Sequence, residues 1–130
     1  SQTYKQVDLE TLMQKSDIIC VHAPLNERTK NLITYRELSL MKPTSLIVNV
    51  GRGGIIDEAD LAKAIDANLL AGAAVDVFSS EPLPKDNPLI QVQNTEKLLL
   101  TPHIAWASIE ARATMVEGVV QNIQEFLNRK

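Results

Sequence analysis

Only one cysteine, Cys20, occurs in the 130 residues. It cannot close an internal disulfide, and no paired-cysteine spacing for a metal exists, so no metal is expected. That thiol usage fits a reducing, cytoplasmic setting. Cys20 sits inside an apolar run and reads as a small core residue. Nor is there any excess of base: 13 Lys and Arg against 16 Asp and Glu leave a net charge of −3. Nucleic acid or an anionic membrane surface would favour a basic stripe, so neither is expected as a partner. No apolar stretch approaches the roughly 20 residues of a membrane span. The opening Ser1-Gln2-Thr3-Tyr4-Lys5 does not read as a signal peptide. Repeats and low-complexity segments are absent too. What remains is an ordinary globular composition, 45% hydrophobic and 22% charged, in a chain long enough for one domain with one modest core.

Four short apolar runs, 17–21, 45–50, 71–77 and 98–101, read as strands. Their near-continuous apolarity predicts strands covered on both faces, as in a parallel sheet. Helix signals lie between them. Asp8 is placed to cap a helix over Leu9–Lys15, with Val7 and Leu12 as a hydrophobic staple. Thr34 and Glu37 form a capping box, Ile33 and Leu38 the staple, and Pro43 is expected to end that helix. Asp57 caps a third helix over 58–67, stapled by Ile56 and Leu61. Ser108 caps the last and longest, in which Ile109, Ala113, Val116, Val120, Ile123 and Leu127 form one apolar stripe. Glu110 at its start and Arg129 and Lys130 at its end suit the helix dipole. Strands alternating with helices predict an α/β fold, a Rossmann-like parallel sheet with flanking helices. The segment 78–97, with Pro82, Pro84 and Pro88, is too proline-rich for a helix and reads as a long surface loop.

Open parallel sheets bind ligands beyond the carboxyl ends of their strands. His22, Pro24 and Thr29 follow the first strand. Asn49, Gly51, Arg52, Gly53 and Gly54 stand at the end of the second. Asp76 ends the third, with Glu81 five residues on, and His103 follows the fourth. Taken singly each has an ordinary explanation: a turn arginine, a solvated carboxylate, a histidine with a structural partner, glycines that permit a tight turn. Trp106 serves equally as packing or as a pocket wall. Jointly, the polar groups gathered at strand ends mark a site.

The stretch Val48-Asn49-Val50-Gly51-Arg52-Gly53-Gly54-Ile55-Ile56-Asp57 resembles a signature of the D-isomer-specific 2-hydroxyacid dehydrogenases. The resemblance continues through Leu61 and Ile65, Gly72-Ala73-Ala74-Val75-Asp76-Val77-Phe78, Glu81-Pro82 and Thr101-Pro102-His103-Ile104. Upstream, Ser16-Asp17-Ile18-Ile19, His22-Ala23-Pro24-Leu25, Thr29 and Leu32-Ile33 match as well. It implies hydride transfer between a nicotinamide cofactor, NAD or NADP, and a small 2-ketoacid or 2-hydroxyacid. It implies that Arg52 holds the substrate carboxylate and polarises the reacting carbonyl. His103 would be the general acid in reduction and the base in oxidation. Glu81 would fix its tautomer and favour the protonated ring. Asp76 would bind the nicotinamide carboxamide. Ala23, Pro24, Thr29, Val50 and Gly51, beside Arg52 and His103, would line the cofactor side. A homodimer is implied for the full-length protein. The loop Ile104-Ala105-Trp106-Ala107-Ser108 is most similar to the glycerate dehydrogenase (hydroxypyruvate reductase) branch.

One departure is large. The family carries a GxGxxG turn upstream for the pyrophosphate, and none of Gly51, Gly53, Gly54, Gly72 and Gly118 forms it. The sheet is therefore expected to be incomplete, lacking its first βαβ unit, and the separate substrate domain is expected elsewhere. Residues 1–107 read as the later part of the NAD-binding domain and 108–130 as a helix that packs on that substrate domain. The isolated chain is expected to be inactive, with an unpartnered apolar stripe that favours association. Two neighbouring readings share the motifs. Related NAD-sensing transcriptional corepressors keep the arginine, glutamate and histidine but act as binding proteins. Formate dehydrogenases resemble the pattern with glutamine at the glutamate position, which Glu81 argues against. A bland α/β segment without activity is the third.

Overall fold

A computed structural model describes residues 4–129. Ser1–Thr3 of the opening peptide, and Lys130 of the expected dipole pairing, lie outside them. Helix α1 spans Leu9–Lys15, where the Asp8 carboxylate accepts the Thr11 amide at 2.7 Å. Val7 and Leu12, expected as a staple, are both exposed. Strand β1 (Ile18–Val21) follows, then α2 (Tyr35–Leu38), β2 (Leu46–Asn49), α3 (Glu58–Asp66), β3 (Gly72–Val75), β4 (Leu98–Leu100) and α4 (Ile109–Asn128). The order matches the sequence expectation. Glu37 closes the capping box of α2 by accepting from the Thr34 amide at 3.0 Å and its hydroxyl at 2.6 Å. That helix stops at Leu38, well before Pro43. The Ser39 hydroxyl turns back onto the Arg36 carbonyl at 2.6 Å, offering the backbone an alternative to further helix.

The four strands pair in parallel in the order β1-β2-β3-β4. Register puts Ile19, Ile47, Ala73 and Leu98 in one row, and Val21, Asn49, Val75 and Leu100 in another. These rows face a core completed by Met13 of α1, Leu38 of α2 and Leu61 and Ile65 of α3. The opposite rows hold Ile18 with Leu46, and Cys20 with Val48, Ala74 and Leu99. Ile18 and Leu99 are each 61% exposed, and Cys20 is exposed. The expectation of strands covered on both faces, with Cys20 in the core, is corrected: the described residues cover one face only. Strand side chains alternate, so an apolar run places half its residues on the open side.

The segment 78–97 is also more than a surface loop. It holds two short 3₁₀ turns, Pro88–Gln91 and Thr95–Lys97, and buries Leu89 and Val92. Pro88 stands at the start of its turn, where a missing N–H costs nothing, and Asn87 caps it by accepting the Leu89 amide at 2.9 Å. Helix α4 begins at the expected cap, with the Ser108 hydroxyl accepting from Ala111 at 3.1 Å. It buries no residue. Among the described residues no helix is long and apolar enough to cross a membrane.

Candidate active site

Parallel strands deliver their C-terminal ends to one edge of the sheet. Two depressions open there. One, of about 590 Å³, is lined by Phe78, Glu81, Pro82, Leu83 and Leu100 through His103. The other, of about 600 Å³, is lined by His22, Ala23, Pro24, Leu25, Val50, Gly51 and Arg52.

His103 and Glu81 meet at the first. The ring Nδ1 lies 2.8 Å from Glu81 Oε2. The other carboxylate oxygen accepts the Phe78 amide at 2.9 Å, so both oxygens are held and the carboxylate has a fixed direction. The hydrogen bond from His103, then that from Phe78, holds the Glu81 carboxyl below its ordinary range. His103 itself is in the left-handed backbone region, φ 55°, which a non-glycine residue rarely adopts. Three contacts hold it there. Its amide donates to the Asp76 carbonyl at 2.8 Å and to the Thr101 carbonyl at 3.1 Å. Its own carbonyl accepts the Trp106 indole N–H at 2.8 Å. Trp106 is thus neither core packing nor a simple wall; its indole braces the histidine.

Asp76 sits under this loop, 3% exposed. Its carboxylate accepts from the Thr101 hydroxyl at 2.5 Å and from the amides of Ile104 and Ala105, each at 2.9 Å. Burial pushes its carboxyl up, but the bonds from Thr101, Ala105 and Ile104 outweigh it and the net direction is down. A carboxylate with three donors is stable as an anion.

Arg52 stands on a turn that Asn49 ties. The buried Asn49 amide donates to the Arg52 carbonyl at 3.1 Å, and its oxygen accepts the Gly51 amide at 3.1 Å. Arg52 is exposed, with one guanidinium N–H on the Gly51 carbonyl at 2.8 Å. It lines the second depression and makes no hydrogen bond or ion pair to the dyad among the described residues. Gly51 is required by close approach: a Cβ there would lie 2.9 Å from the Val21 carbonyl oxygen. Ala23, Pro24 and Val50 share its depression. Thr29 does not line it. Its hydroxyl donates to the Pro24 carbonyl at 2.6 Å and accepts the Asn26 amide at 2.8 Å, closing the turn after β1.

Sequence reading gave no role to Thr101, quoted only within a family stretch, nor to the pair Glu58 and Asn87, whose contact ties α3 to the loop bearing Glu81. Thr101 stands at a strand end and was open to that placement rule. Glu58 carried only the signal of an acid in a first helical turn.

Comparison with known proteins gives the family. Residues 1–105 match the family model described as D-isomer specific 2-hydroxyacid dehydrogenase, NAD binding domain. A glycerate dehydrogenase of Methylorubrum extorquens is 40% identical over 124 residues, 95% of this chain and 39% of that protein. A glyoxylate reductase of Thermofilum pendens is 45% identical over 116 residues, 89% of this chain and 33% of that protein. The solved structure of an acyclic imino acid reductase in complex with NADPH and D-Arg superposes with a TM-score of 0.84 at 40% identity, over 97% of this chain and 39% of that one. The chain therefore spans under two fifths of these relatives' length. With a family match over 105 residues and relatives at this identity, the chain belongs to the D-isomer specific 2-hydroxyacid dehydrogenases, in their NAD-binding domain.

Proposed function

We propose that this chain carries the acid–base and orienting residues of a nicotinamide-dependent D-2-hydroxyacid dehydrogenase acting on a small 2-ketoacid, hydroxypyruvate first among them. The 2.8 Å contact between Glu81 and His103 carries the reading. With Nδ1 turned to the carboxylate, the ring's free nitrogen is Nε2. In reduction Nε2 gives its proton to the substrate oxygen; in oxidation it takes that proton back. Arg52 presents the planar fork that pairs with the substrate carboxylate and draws charge from the neighbouring carbonyl. The cofactor, when bound, supplies or accepts the hydride.

The residues present fit the nicotinamide end of such a cofactor. Ala23, Pro24, Val50 and Gly51 form a wall at two strand ends. Asp76 has accepted three of about four hydrogen bonds open to a carboxylate. One lone pair remains for a carboxamide N–H. Thr29 acts indirectly, by holding the turn that presents Pro24. No residue here forms the glycine-rich turn that binds pyrophosphate. Residues 1–107 are accordingly proposed as the later part of the nucleotide domain, and 108–130 as the element that meets a substrate domain outside this sequence. The chain alone is expected to be inactive, and the enzyme to be the longer protein that contains it. NAD and NADP both fit these residues.

The test is NADH and NADPH oxidation by the full-length protein with hydroxypyruvate, glyoxylate and an imino acid, beside a protein-binding screen. Reduction of hydroxypyruvate supports the proposal. Turnover of none of the three, with NAD-dependent capture of a protein partner, replaces it with the binding-protein reading. Robust reduction by the isolated 130-residue chain contradicts the division of labour between this segment and the rest.

A further inference from the structure

We infer that Glu58 is a positioning residue for the Glu81–His103 pair: its one carboxylate clamps both ends of the loop that carries Glu81. The inference rests on the catalytic reading just given. Glu58 is the first residue of α3, half-buried, and among the described residues makes no hydrogen bond to His103 or Glu81. Its Oε1 accepts the Ser79 amide at 2.6 Å, and its Oε2 accepts the Asn87 side-chain amide at 2.6 Å. Those contacts stand on either side of Glu81, so the carboxylate closes the loop at its base. Both are charge-assisted, which makes them shorter and stronger than neutral bonds.

The Phe78–Ser79 peptide is where the clamp reaches the dyad. Its N–H on Ser79 donates to Glu58, while the preceding amide of Phe78 donates to Glu81 Oε1. The same peptide lies against Gly53, where an added Cβ would stand 1.9 Å from the Phe78 carbonyl carbon. Glu58 therefore fixes the Phe78–Ser79 peptide, the next along the chain from the one whose N–H aims Glu81, where it lies against the turn that bears Arg52. At the far end Asn87, 7% exposed, is locked by its own bond to the Leu89 amide at 2.9 Å. The clamp is anchored in the core through Leu89 rather than in solvent. An acid in a first helical turn also favours the helix dipole, but that accounts for neither the two short contacts nor their partners.

The variants are chosen for their hydrogen-bond chemistry. Glu58→Gln keeps an oxygen for Ser79 but turns an amide N–H₂ toward the N–H₂ of Asn87. Asn87→Asp alone sets two carboxylates face to face. Together they restore one donor and one acceptor. In the full-length enzyme Glu58→Gln is expected to lower kcat about tenfold, as misplacement of a catalytic group by well under 1 Å does. KM for the ketoacid changes little, and the alkaline limb of the reduction profile moves toward acid. The double variant regains most of kcat and the original profile. A Glu58→Gln enzyme with unchanged kcat and profile overturns the inference, as does a folded double variant with no recovery beyond the single one. If the wild-type enzyme reduces no 2-ketoacid, it is the proposed function that fails. Melting temperature read alongside separates a lost clamp from a lost fold.

Discussion

His103 is held from three directions while its Nε2 makes no hydrogen bond among the described residues, which is what a proton-transfer group requires. Glu81 fixes the ring, Asp76 and Thr101 fix the backbone amide, and Trp106 fixes the carbonyl. His103→Ala in the full-length enzyme is expected to lower turnover by about 10²–10⁴-fold, the range for loss of a general acid–base group, with steady-state kinetics as the check. Asp76 makes a separate prediction about stability. Its carboxyl is lowered in the fold, so the stabilisation it gives is complete above its unfolded value of about 3.9. That stabilisation is lost as pH falls through the lower folded value. Asp76→Asn is therefore expected to lower the melting temperature at neutral pH and to flatten its fall below about pH 4. Scanning calorimetry over pH reads both. The placement of Arg52, Glu81, Asp76 and His103 at the carboxyl edge was legible in the sequence because a parallel sheet sends its strand ends to one edge. Glu58 and Asn87 were not: a side-chain clamp spanning 29 residues leaves no local pattern.

At the scale of elements, capping chemistry was legible because it is local. Asp8, Asp57 and Ser108 each cap where their position before an apolar run predicts. The extent of α2 was not, since the stop lies with Ser39 rather than the conspicuous Pro43. Two elements carry predictions. Gly53→Ala would drive a Cβ into the Phe78–Ser79 peptide. It is expected to cost about 1–3 kcal/mol, the usual range for overpacking, read as a lowered urea midpoint. Helix α4 buries nothing in this chain, and helices depend on tertiary packing for most of their stability. Its amides are expected to exchange far faster in the isolated chain than those of β2 and β3, by hydrogen-exchange mass spectrometry. Equal protection would show that α4 has a partner the described residues do not supply.

At the largest scale, the central fact is a sheet that the described residues cover on one face. Ile18, Leu46 and Leu99 remain exposed opposite the core, and α4 adds Ile109, Val116 and Phe126. Apolar runs read alike whether their cover comes from the same chain or another, which is why the sequence predicted burial on both sides and the structure shows one. Exposed apolar surface of this kind promotes association. The isolated chain is expected to self-associate with concentration in sedimentation, beyond the homodimer expected of the full-length enzyme. The catalytic claim is separable from that one and narrower: Glu81 and His103 act as a unit in proton transfer. The most direct test is the pH–rate profile of ketoacid reduction by the full-length enzyme and its Glu81→Gln variant. An anionic acceptor on Nδ1 favours the protonated ring, so removing the charge should move the alkaline limb toward acid and narrow the active range. A variant whose profile overlies that of the wild type would contradict the account.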